Sequence, residues 1–214
     1  MSTHMNSDAC VVIADKRLTI DHALAVFRSY RMKTVDVYDL KGAGDPNVIT
    51  LEEAARTRAV SSRLSNQHSA WFVARSQTAP WPDPDADLAD ADPAESGGLY
   101  DHMNTCYLHF YSDRPRKVGI GKISKVLHIK RPALFPILDT EVRACYKQAA
   151  RRAAKNYPKR GYKAMFWAAI RDDLVANRQS GSLAALRDGF ASESPLKVYS
   201  ELTDLRLLDI LTWR

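Results

Sequence analysis

A mainly α-helical fold, arranged in two lobes with few or no strands, is what this sequence predicts. Three observations carry the expectation. From Leu99 onward, apolar residues recur at three- and four-residue spacing between breakers at Pro115, Pro132, Pro136, Pro158, Gly161, Gly181 and Pro195. Thr50 and Glu53 stand three apart, the capping-box pair that opens a helix. Only Val11 to Ile13 reads as a strand, and nothing nearby offers it a clear partner.

The elements follow in order. Thr19 or Asp21 caps a helix reaching about Met32, with Ala23, Val26, Phe27 and Tyr30 at helical spacing. Val35 to Leu40 alternates briefly before a turn from Gly42 to Asn47. The helix capped at Thr50 runs to about Leu64, and Ser69 to Arg75 is a further helical segment. Residues 78–98 carry six acids among prolines and glycines, the composition of a solubilising surface loop or mobile segment. Helices are then expected near residues 99–110, 120–129, 140–156, 163–178, 183–190 and 196–211. The domain spans residues 9–214; residues 1–8, with Met5 after His4, read as disordered or a cloning remnant.

Composition excludes several classes. A chain of 214 residues, 45% hydrophobic and 26% charged, can bury a real core and is neither disordered nor a disulfide scaffold. No apolar run approaches the roughly 20 residues of a membrane helix, and no export signal opens the chain. Cys10, Cys106 and Cys145 form no Cys-x-x-Cys, which fits reduced thiols and a cytoplasmic location. The six histidines show no zinc spacing, so neither metal nor cofactor is expected, although His102, Cys106 and His109 can share a helical face.

Charge is unevenly placed. Residues 114–163 hold fifteen Lys or Arg against two acids, a balance of +13, while the rest of the chain stands at −7. A concentrated basic half is the footprint of a nucleic-acid binder, with a solvated helix surface as the plainer account. Within it, Gly119 and Gly121 precede an amphipathic helix, so backbone N–H groups at a positive helix end can meet a phosphate. Lys122 and Lys125 lie beside that turn, and His128, Lys130 and Arg131 extend the basic side. Downstream, Arg143, Lys147, Arg151 and Lys155 recur every four residues as a basic stripe. Asp139 opens that helix after the apolar approach Pro136-Ile137-Leu138. The helix's positive end favours its ionised form, which suits it to stabilise a sugar cation or orient water, or simply to cap the helix.

Gly119-Ile120-Gly121, then Ser124, Lys125 and Leu127, then Pro136-Ile137-Leu138-Asp139-Thr140-x-Val142 resemble the helix-hairpin-helix DNA glycosylase superfamily over about 25 residues. The resemblance implies a hairpin that grips a DNA phosphate and an active-site aspartate, here Asp139. Lyase-type members carry a nucleophilic lysine where this chain has Ile123, the gap to Asp139 is about two residues short, and the iron–sulfur cysteines are missing. Simple hydrolysis of an N-glycosidic bond is therefore the expected chemistry, on a damaged or modified base in double-stranded DNA. The whole chain also resembles an uncharacterised actinobacterial family sharing the Lys125 to Asp139 stretch and the Leu205 to Trp213 ending. Asp139 is the expected catalytic residue, with Gly119, Gly121, Lys122, Lys125, Lys130, Arg131, Arg143 and Lys147 on the nucleic acid. The alternative is a non-catalytic nucleic-acid-binding or protein-interaction module. Trp81, Phe166 and Trp167 are read respectively as an anchor or loop packing residue, as core, and as able to reach a cleft.

Overall fold

The structure, a computed structural model, describes residues 9–213, so the expectation for residues 1–8 falls outside it. The chain opens with a hairpin in which β1 (Cys10–Ile13) pairs antiparallel with β2 (Lys16–Thr19), Cys10 opposite Thr19. Val11 to Ile13 thus has its partner next door. The sequence concealed it because Lys16 and Arg17 are exposed, and because Ala14 and Asp15 take left-handed φ values of 48° and 71° without a glycine. The Asn177 amide accepts from the Val12 N–H and donates to its carbonyl, both at 2.8 Å. It serves β1 as a further strand would.

Helices make up most of the remainder. Thr19 caps α1 (Ile20–Ser29) by accepting from the His22 N–H. A one-turn α2 (Met32–Thr34) leads into a π-helical turn over Val35–Asp39, where the sequence alternates. The capping box at Thr50 opens α3 (Leu51–Arg56), which tightens into a 3-10 turn over Thr57–Val60 and stops at left-handed Ser61, before Leu64. Then come α4 (Asn66–Ser76), α5 (Leu99–Tyr111), α6 (Ile120–Lys130), α7 (Thr140–Cys145) and α8 (Lys147–Asn156). The last three helices are α9 (Phe166–Gln179), α10 (Ser182–Ser192) and α11 (Asp204–Leu211).

Two expected helices are divided. The one over residues 140–156 kinks at Tyr146, although the bonds into Val142 and from Ala150 continue across it. The one over residues 196–211 is a 3-10 segment, Ser194–Glu201, followed by α11 with Thr203 as its own cap. Arg187 holds the break by donating to the Ser200 and Leu202 carbonyls.

One apolar cluster runs from Val11 through Phe72, Phe110 and Leu174 to Leu211. A small satellite of Tyr38, Val60, Ile129 and Ile137 covers the outer side of α6. The acidic segment is packed rather than free, because Leu88 and Ala91 are fully buried. Arg131 donates to the Pro82 carbonyl, Arg160 to those of Pro93 and Glu95, and Arg178 pairs with Asp87. Among the described residues no helix is long and apolar enough to cross a membrane.

Candidate functional site

Asp139 ends an extended approach and caps α7. Its Oδ1 accepts from the backbone N–H groups of Glu141 (3.1 Å) and Val142 (3.2 Å), and its Oδ2 lies 3.2 Å from the Lys125 ammonium. The carboxylate is thereby fixed and largely buried, at 12% exposure, yet it lines a cavity of about 470 Å³. Tyr30 and Thr34 form one wall of this cavity, Ala59 to Ser61 another, and Arg206, Asp209 and Trp213 a third.

On its other side Asp139 borders a groove of about 440 Å³ that shares Ser61 and Lys125 with the cavity. Arg63, Lys117, Lys122, Arg143 and both glycines line the groove. Burial, with Lys117 second, lowers the Lys122 ammonium from its ordinary value, which an incoming anion would relieve. Gly119 is the N-cap of α6 and Gly121 sits in its first turn. Neither has a positive φ; Gly121 instead lies against the Leu138–Asp139 backbone, where an added Cβ would make ordinary contact at 3.5 Å. Gly119, Gly121 and Lys122 thus bring the start of α6 to the groove beside Asp139.

Other expected residues lie elsewhere. Lys125 turns inward, its Nζ donating to the Val60 carbonyl at 2.7 Å as well as meeting Asp139. Lys130 is buried, 2.5 Å from Glu53 and 2.9 Å from the Asp45 carbonyl. Arg131, 1% exposed, donates to the carbonyls of Pro46 and Pro82 and to Asn47. The phosphate role expected of Lys130 and Arg131 is corrected accordingly: neither side chain reaches solvent. His128 is buried against Tyr38 with Nδ1 on the Phe135 carbonyl, and burial pushes it down to about 3, so it is neutral. The amphipathic reading of α6 placed these groups in water because it could not see residues 38–60 folding across them. Lys147 is exposed on α8 but lines neither the cavity nor the groove. His109 meets the Arg75 carbonyl at 2.8 Å, and no cluster of three metal-binding side chains occurs among the described residues.

Behind the cavity lies a charged cluster that sequence reasoning missed. Arg206, 2% exposed, donates to both Asp39 oxygens (2.8 and 3.2 Å), to Tyr30 Oη (3.0 Å) and to Asp209 Oδ2. The Asp209 Oδ1 is buried with no hydrogen-bond partner among the described residues. Asp139 and Lys125 adjoin this cluster, and the buried Arg56 adds a further positive charge that acts on Asp39. Burial above all, with Asp139 and Asp39 adding to it and Arg206 and Lys125 opposing, pushes Asp209 up to about 7. The signal was present in the sequence: Arg206 and Asp209 stand three apart on α11 among leucines and isoleucine, and Trp213 follows four residues after Asp209.

The model of a family of unknown function, DUF6308, matches residues 49–214. The chain belongs to the DUF6308 family. No curated protein and no solved structure matches it. In this DUF6308 chain the matched stretch carries Lys125, Asp139, Arg206, Asp209 and the groove cations. Tyr30 and Asp39, which complete the cavity and its cluster, precede the stretch.

Proposed function

We propose that this protein binds DNA through the basic groove and hydrolyses the N-glycosidic bond of a damaged or modified base over Asp139. The supporting observation is the position of that carboxylate, fixed on the wall between a groove of cations and a cavity large enough for a base. Phosphates would meet Arg63, Lys117, Lys122, Arg143 and the N-terminal N–H groups of α6. As the C1′–N bond lengthens, positive charge grows on the sugar, and a preorganised carboxylate stabilises it without having to reorient. Water then adds to the sugar carbon and its proton leaves to solvent or to the departing base. A second reading, binding without hydrolysis, is favoured by the Lys125 ion pair, which already satisfies part of the Asp139 charge.

Both readings share one expected result. Four groove cations imply that log K falls with log salt at a slope of about −3 to −4. Replacing Lys117, Lys122 and Arg143 together with glutamine should flatten it by between about two and three units. Arg131→Met should destabilise the fold and leave the slope unchanged, since Arg131 faces protein carbonyls. Fluorescence polarisation across a salt series checks both. Abasic-site formation on duplexes carrying a panel of modified bases separates the readings: release supports hydrolysis, and binding without release supports the second.

A further inference from the structure

Tyr100, Asn104, Tyr107 and Tyr111 stand four, three and four apart, which puts them in one stripe along α5. The end of the stripe near Tyr100 is core: Tyr100 is 4% exposed and meets Trp167 edge-on at 6.0 Å. Asn104, Tyr107 and Tyr111 are only half-buried. Tyr107 packs edge-on against Trp167 at 5.3 Å and stacks on Tyr111 at 5.6 Å, while the Arg114 guanidinium lies 3.6 Å over the Tyr111 ring. A pocket of about 170 Å³ opens here, walled by Tyr107, Phe166, Trp167 and Tyr162, with Asn104 as a polar group. A cavity of roughly 150 Å³ holds one six-membered ring, so this pocket suits a single planar ring system.

Its place in the fold suggests which ring. The pocket shares Leu138 and Arg143 with the basic groove, and the groove shares Asp139 with the cavity. Arg143 stands at the junction, its guanidinium carbon 6.0 Å from the Phe166 ring centroid. A strand whose phosphates follow the groove therefore passes an aromatic pocket on one side and the Asp139 cavity on the other. Half-exposed aromatic rings beside arginines along a cationic groove are how proteins hold unpaired bases.

We infer that the α5–α9 pocket is a second nucleobase site, which stacks an unpaired base of the same strand that the groove holds by its phosphates. It rests on the nucleic-acid reading above and is independent of hydrolysis. The substrate class that follows is single-stranded or locally opened DNA, because a base inside an intact duplex cannot enter a side pocket.

The test compares an oligothymidylate strand with a strand of equal length and charge built entirely of abasic residues. Stacking is worth about 1–3 kcal/mol per base, so the wild type should bind the thymidylate strand about 5- to 150-fold more tightly. Tyr107→Ala should abolish that preference and leave the salt slope unchanged. Tyr162→Ala, at a residue 47% exposed where folding is not at stake, should reduce the preference by severalfold. Equal wild-type affinity for the two strands, or an equal loss on both strands in the Tyr107 variant, overturns the pocket and leaves the groove standing. No binding of either strand at low salt overturns the nucleic-acid reading, and this site with it.

Discussion

Replacing Arg206 with methionine is expected to destabilise the fold by about 3–5 kcal/mol at neutral pH, the cost of leaving buried charges unpaired. Arg206 is the shared cation of Asp39 and Asp209, both of which remain buried when it is gone. Burial raises both carboxyls even with Arg206 present, Asp209 to about 7, so the folded state already binds protons more tightly than the unfolded chain. A group shifted in that direction contributes its full stability below the unfolded carboxylate value, near 4, and loses it as pH rises through the folded one. Removing the guanidinium raises both carboxyls further. The loss in the variant should therefore be small near pH 5 and largest near pH 8. Urea unfolding at the two pH values measures it, and an equal loss at both would reduce Arg206 to a packing role.

On the hydrolytic reading, Asp139→Asn is expected to lower base release by about 10²–10³-fold while keeping the α7 cap. Asparagine caps a helix about as well as aspartate, and its side-chain oxygen can accept from Glu141 and Val142 as the carboxylate does. What disappears is the negative charge at the wall of the cavity. Lys125 keeps the Val60 carbonyl and gains freedom toward the groove, so DNA binding should be unchanged or tighter. Equal rates of release in the two proteins would remove Asp139 from the mechanism.

Much of the fold was legible because it follows local rules. Thr19, Thr50 and Asp139 each announce a helix start by a side chain that reaches its own N-terminal N–H groups, and all three do so. The partner of β1 was hidden because its turn uses no glycine and three of the four residues of its strand are polar. The nearness of Asp139 to Gly119, Gly121, Lys122 and Arg143 was legible from local spacing, and these residues line one groove. Lys130 and Arg131 were misplaced because burial is decided by residues far away in sequence: Glu53 and Asp45 for one, Pro46 and Pro82 for the other. The same Glu53 was visible as half of a capping box and invisible as the ion-pair partner of α6.

The Asp39–Arg206 pair joins residues 167 positions apart, and the Lys125–Val60 bond spans 65. Contacts of that separation reward the chain only after long loops have closed, and the entropy of closing them falls due first. The cavity beside Asp139 consequently has no local precursor and takes shape only as the whole fold does. A peptide spanning the Gly119 turn and Asp139 would carry the residues of the motif and none of the pocket.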